Sequence, residues 1–114
     1  NILLKNLWGR TRPNDISQFG GTDAFSPWYK LGDVCVSNCS FVSGDASVGF
    51  ALLVFYFITK KIFYIYLSVA CGLCLGIIRI IAGGHFLSDV VFSQIVVTAV
   101  IFASYLVYKK ISNE

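Results

Sequence analysis

The twenty residues from Ile62 to Ile81, IFYIYLSVACGLCLGIIRII, hold a single charge, Arg79, third from the end. At ~1.5 Å of rise per residue, a helix of this length spans about 30 Å, the depth of a bilayer's hydrocarbon core. Apolar runs lie on either side of it, Ala46 to Thr59 before and Val90 to Tyr108 after. The first of these becomes nearly long enough to cross if its helix starts at Ser43 and runs to Lys60. The buried core helix of a soluble protein is the competing explanation for such runs. Composition argues against it: the chain is 56% hydrophobic and 13% charged, with mean hydropathy +0.73, too apolar for an ordinary soluble domain. The expected fold is therefore all-α, a transmembrane helical bundle with three membrane-spanning helices and one long extramembrane loop over residues 14–42. All 114 residues are read as one membrane-embedded domain. The chain opens on Asn1 without a signal-peptide pattern, and it is read as the C-terminal portion of a longer protein whose N-terminal helices complete the packing.

Residues Asn1 to Trp8 resemble the end of an apolar or interfacial helix, with Trp8 suited to the headgroup zone. Lys5 lies within this segment, Arg10 and Arg12 follow it closely, and Pro13 stops the helix. Such a cluster is either a basic interfacial anchor or a set of phosphate-binding cations, and the segment alone leaves both open. The loop is polar and glycine-rich, with Gly20-Gly21, Trp28-Tyr29 and Gly32-Asp33; a short interfacial helix is expected around the two aromatics. Cys35 and Cys39 lie in this loop with no second Cys/His pair at zinc spacing. They can form a disulfide if the loop faces an oxidising compartment, although a four-residue separation is awkward to close. Cys71 and Cys74, in mid-span, are expected to serve as small packing residues.

The one histidine, His85, lies inside the stretch Arg79-Ile-Ile-Ala-Gly-Gly-His85-Phe-Leu-Ser-Asp89. Gly83 and Gly84 end the preceding helix and present His85 at a turn. If a helix restarts near His85, Asp89 lies on the same face four residues on, within reach of an imidazole nitrogen. An arginine inside an apolar run is itself a default sign of function. Ser43 is a good N-cap for the first span, Gly44 permits close approach, and Asp45 suits the first turn of a helix dipole.

Alternate crossings place Lys60-Lys61 and Lys109-Lys110 on one face. Ser43-Gly44, Arg79 and His85-Asp89 then meet on the other. With Lys5, Arg12 and Arg79 set aside as ligands, the site face keeps two basic residues against four. The positive-inside rule then makes the site face extracytoplasmic.

In this order the motifs resemble the type 2 phosphatidic acid phosphatase family of membrane lipid phosphatases. Lys5-x6-Arg12-Pro13, Ser43-Gly44 within Phe-Val-Ser-Gly-Asp, and Arg79-x5-His85-x3-Asp89 carry the resemblance across most of the chain. Two positions depart from the family's pattern: Asp45 stands where a histidine is usual, and Ile78 where a serine usually precedes the arginine.

The resemblance implies phosphoryl transfer through a phosphohistidine. His85 would attack phosphorus, with Asp89 holding one ring nitrogen protonated. Lys5, Arg12 and Arg79 would neutralise the phosphate oxygens, helped by Ser43 and Gly44, so that no metal or other cofactor is required. Asp45 would take the place of the family's leaving-group acid, for which an ordinary carboxylate is poorly suited at neutral pH. The implied substrates are lipid phosphates or diphosphates: phosphatidate or another phospholipid, an isoprenyl diphosphate, or a phosphorylated glycolipid of lipid A type. The variant middle motif suggests a bacterial branch, and hence an inner-membrane protein. The alternative is a catalytically inactive phospholipid-binding or structural membrane protein of the same fold. Nucleic acid is not an expected partner, because the formal charge of +3 is divided between two membrane faces.

Overall fold

Ser43 leaves the loop in an extended conformation, and its side chain accepts from the Ala46 amide at 3.4 Å. The first apolar helix starts there, as an N-cap serine dictates. The computed structural model describes residues 2–32 and 35–112; Asn1, Asp33 of the Gly32-Asp33 pair, Val34 and residues 113–114 lie outside the described residues. In chain order the helices are α1 (Ile2–Trp8), α2 (Gly44–Phe50), α3 (Val54–Thr59), α4 (Phe63–Ile81) and α5 (Leu87–Ser112). A 3-10 turn over Ala51–Leu53 joins α2 to α3, so the first apolar run is one helical rod over Gly44–Thr59. The described residues contain no strand, only an isolated bridge between Ile16 and Asp23.

The chain reverses at Lys60, whose backbone adopts the left-handed region (φ 59°) and donates to Tyr56 O at 2.8 Å. Its ammonium reaches Tyr105 of α5, donating to the hydroxyl at 3.2 Å. Lys60 and the C-terminal half of α5 thus share one end of the molecule. The molecule measures 54 × 27 × 18 Å, an elongated body rather than a sphere.

Two helices, α4 and α5, are long and apolar enough to cross a membrane; Gly44–Thr59 is apolar but shorter. The core helix of a soluble protein would be mostly buried, whereas Ile77, Ile78, Ile81, Ile95, Val100 and Ile111 stand exposed on α4 and α5. Side chains of this kind are stable on a surface that faces lipid instead of water.

Small residues bring the helices together. The buried positions of α4 are Ser68, Gly72 and Gly76, one stripe at four-residue spacing. Gly72 lies against the Phe50 ring so closely that an added Cβ would overlap it, and Gly76 receives Val90 of α5 in the same way. The Ser68 hydroxyl donates to Phe50 O at 3.2 Å. The expectation for Cys71 and Cys74 is corrected here: Cys74 is exposed and Cys71 only half-buried. The glycines, one and two positions away, do the packing, because without a Cβ they let two backbones approach.

The loop contains 3-10 turns at Pro13–Asp15 and Ser17–Phe19. No helix forms around Trp28 and Tyr29, where the expectation was one; Pro27 and Lys30 close a turn instead, Lys30 N donating to Pro27 O at 3.2 Å. Aromatic contacts hold the loop on α5: Trp8 stacks on Phe41 at 4.8 Å, and Phe92 touches both Phe41 (5.2 Å) and Trp28 (5.3 Å). Cys35 and Cys39 are disulfide-bonded, with Cα atoms 5.7 Å apart.

Candidate active site

The α4–α5 turn is shaped by Gly83, whose φ of 69° favours glycine. Asn14, directly after Pro13, fastens the loop to this turn: its amide donates to Gly83 O at 3.1 Å and its side chain to Ala82 O at 3.0 Å. Arg12 is carried there with it. A Cβ built on Gly84 would lie 3.6 Å from Arg12 Nη1 and 3.7 Å from Arg79 Nη2. Two guanidinium groups therefore flank the bare backbone next to His85, an arrangement with the geometry and charge to accept an anion with several oxygens.

Arg12 is aimed by Asn38, to which it donates from Nε (to O, 2.9 Å) and Nη2 (to Oδ1, 2.7 Å). Asn38 is held between the two bonded cysteines. Lys5 of α1 belongs to the same group. Burial first, then the charges of Arg12 and Arg79, pull its ammonium below the ordinary lysine value of 10.5, against the opposite pull of Asp45 and Asp89. Crowding like charges costs free energy that a bound anion would return.

His85 and Asp89 are buried, at 1% and 0% exposure. Asp89 lies in the first turn of α5, and its Oδ2 accepts from the Phe86 amide at 2.8 Å, the reach-back half of a capping box. The same oxygen accepts from the Ser40 hydroxyl, and Oδ1 is ion-paired with Arg10. Oδ2 also lies 3.7 Å from His85 Nδ1. That is too long for a hydrogen bond, and Nδ1 has no hydrogen-bond partner. The imidazole thus faces the carboxylate, one small ring movement from engaging it.

Ser43 is wholly buried, and its hydroxyl is spent on the N-cap. Its backbone ties α2 to α5: the amide donates to Asp89 O at 3.3 Å, and the carbonyl accepts from the Ser47 and Ser93 hydroxyls at 2.8 Å each. Gly44 follows as the first residue of α2. Asp45 turns outward, and its Oδ2 lies 2.9 Å from Arg79 Nε, with side chains 55% and 39% exposed. The contact has ion-pair distance without hydrogen-bond alignment, since Arg79 Nε has no hydrogen-bond partner.

The structure thus gathers Lys5, Arg12, Arg79, Asp45, His85 and Asp89 at one end of the bundle, with Ser43 and Gly44 beside them through the Ser43–Asp89 backbone link. Sequence reasoning missed Arg10 and Ser40 on Asp89, Asn38 on Arg12 and Asn14 on the turn. Arg10 was visible as part of the basic run, but no periodicity separates it from Arg12. The three polar loop residues carried no signal.

A family model described as the PAP2 superfamily matches residues 1–112. Among curated proteins, the chain is 43% identical to a lipid A 4'-phosphatase of Francisella tularensis subsp. novicida, over 96% of this chain and 52% of that protein. Lipid A 4'-phosphatases of Rhizobium leguminosarum and Rhizobium etli are 39% and 38% identical, each over 90% of this chain and over 47% and 42% of the relative. The chain spans about half the length of these relatives. No solved structure matches it.

Proposed function

Because the chain belongs to the PAP2 superfamily, we propose that it forms the catalytic end of a membrane phosphatase that removes a phosphate monoester from a phosphorylated glycolipid, by way of a phosphohistidine. The observation that carries this reading is the convergence of Arg12 and Arg79 on Gly84, beside a buried histidine that faces a fixed carboxylate. The glycolipid is favoured over phospholipids and isoprenyl diphosphates because relatives named for lipid A 4'-phosphate match across most of this chain.

In the proposed reaction the phosphate settles over Gly84, its oxygens taken by Lys5, Arg12 and Arg79. A His85 ring nitrogen forms the bond to phosphorus as the bond to the sugar oxygen breaks. Asp89 accepts from the Nδ1 proton and orients the ring. Asp45, which lies beside Arg79 at the start of α2, gives the departing oxygen its proton. Water then forms the new P–O bond as the P–N bond breaks, the electron pair returning to the His85 nitrogen and the water's proton to Asp45, and inorganic phosphate is released. The cations stabilise the charge without help from a metal.

Gly44–Thr59, α4 and α5 make three crossings in this reading, with the site outside the bacterial inner membrane and Lys60, Lys61, Lys109 and Lys110 at the cytoplasmic end. The Cys35–Cys39 disulfide supports an oxidising compartment for the loop. The test is phosphate release by the full-length protein in detergent micelles from a lipid A-type phosphoglycolipid, phosphatidate, phosphatidylglycerophosphate and an isoprenyl diphosphate. The glycolipid is expected to lead in kcat/KM by about 10-fold or more. Equal rates on all four overturn the substrate assignment, and binding without release favours an inactive lipid-binding protein. Asp45→Asn in the same assay is expected to slow release from the sugar ester far more than from p-nitrophenyl phosphate, whose leaving group needs no proton; an equal loss on both removes Asp45 from the acid role.

A further inference from the structure

Arg10 and Arg12 are two residues apart and point to different tasks. Arg12 reaches the open turn at Gly84, whereas Arg10 is 2% exposed and turned into the interior. Its Nε donates to Ser26 O at 2.9 Å, its Nη1 donates to Ser88 Oγ at 2.8 Å and pairs with Asp89 Oδ1, and its guanidinium lies on the Phe86 ring, 4.2 Å from the centroid. Nε and Nη1 are thus committed to the loop and to the start of α5, and Nη2 alone makes no hydrogen bond among the described residues.

Asp89 consequently stands between two bases. One side faces Arg10, which stays charged at any relevant pH; the other faces His85 Nδ1 at 3.7 Å. Without Arg10 the buried carboxylate would keep two neutral donors, the Ser40 hydroxyl and the Phe86 amide, and the facing imidazole would be the neighbour able to supply a compensating positive charge, as an imidazolium. An imidazolium has no lone pair with which to attack phosphorus. The remaining charges around His85 are Lys5 from α1, Arg12 from the loop, Arg79 from α4 and Asp45 from α2. The three cations face the phosphate side and are partly cancelled by substrate, so they do not replace Arg10 behind Asp89.

We propose that Arg10 is a positioning residue that acts through Asp89: it supplies the carboxylate's counter-charge, so that Asp89 orients His85 without holding it as the protonated, non-nucleophilic form. This rests on His85 being the nucleophile, and it adds a member to the site that the family motifs do not contain.

The experiment is the pH dependence of kcat/KM for phosphate release by the full-length protein, for the parent, Arg10→Gln, Arg10→Lys, Asp89→Asn and the double variant. Arg10→Gln is expected to move the acid limb about one pH unit or more toward alkaline pH, with rate recovered there. Arg10→Lys, which keeps the charge, is expected to hold the limb in place at a lower plateau. Adding Arg10→Gln to Asp89→Asn should leave the limb where Asp89→Asn puts it. A lower plateau with an unmoved limb in Arg10→Gln makes Arg10 a packing residue only and overturns the proposal. A shift that persists in the Asp89→Asn background also overturns it, by making Arg10 act directly. If Arg10→Gln does not fold, a limb displaced in Arg10→Lys contradicts the proposal and an unmoved limb supports it. Imidazole NMR of His85, assigned against His85→Ala, follows the same titration without turnover, so that failure of the phosphatase reading and failure of the Arg10 assignment give different results.

Discussion

His85→Ala is expected to lower phosphate release by about 10⁴-fold or more, to the level of background, while the protein stays folded and inserted. The first half follows from chemistry: in the proposed reaction no other side chain at the Gly84 turn offers phosphorus a neutral nitrogen. The second half follows from the hydrogen bonds. His85 Nδ1 has no partner to lose, and Asp89 keeps Arg10, Ser40 and the Phe86 amide. The structural cost is then the vacated volume, about 1–3 kcal/mol. Size-exclusion behaviour in detergent and thermal unfolding check that half. Release at the parental rate by a folded His85→Ala protein contradicts the assignment.

Asp89→Asn is expected to damage both stability and rate. The amide can still accept, but the fully buried Arg10 loses its counter-charge; breaking a buried pair in this way costs about 3–5 kcal/mol. The reach-back contact to the Phe86 amide at the start of α5 weakens too, along with the favourable placement of a negative charge at a helix N-terminus. The rate should fall by about 10²–10⁴-fold, since the ring loses the group that fixes its orientation. A thermal midpoint equal to the parent's would contradict the buried-pair account, and an unchanged rate would remove Asp89 from the mechanism. His85→Ala loses more activity for a smaller loss of stability, whereas Asp89→Asn loses less activity and more stability, so the pair separates chemistry from architecture.

The long helices were legible because a twenty-residue apolar run has few physical solutions. α4 begins at Phe63 and ends at Ile81, within one residue of the run that predicts it, and Ser43 caps α2 as its residue type suggests. The first rod was the weakest of the three in the sequence and is the shortest in the structure. The small-residue stripe was also readable, as Ser68-x3-Gly72-x3-Gly76, but the cysteines beside it drew attention to the wrong face of α4.

Much of the candidate site was legible because helix ends close together in space carry residues at fixed spacing. Arg79, His85 and Asp89 sit on one turn and need only local geometry. The partners that came from the loop were not legible. Arg10 turns inward because Ser26, sixteen residues away, and Asp89, seventy-nine residues away, accept from it, and no local pattern encodes such closure. The Asp45–Arg79 contact is similar: each residue has a sufficient local reason to be where it is, a helix start and the end of a span, and only the packing of α2 on α4 brings them together.

The most direct measurement of the central claim is rapid quenching of the full-length protein with a lipid substrate carrying radiolabelled phosphate. The account predicts transient, acid-labile and alkali-stable label on the protein, mapped to His85 and absent in His85→Ala. Full turnover with no label at His85, together with inversion of configuration at phosphorus, would mean that water attacks directly and would contradict it.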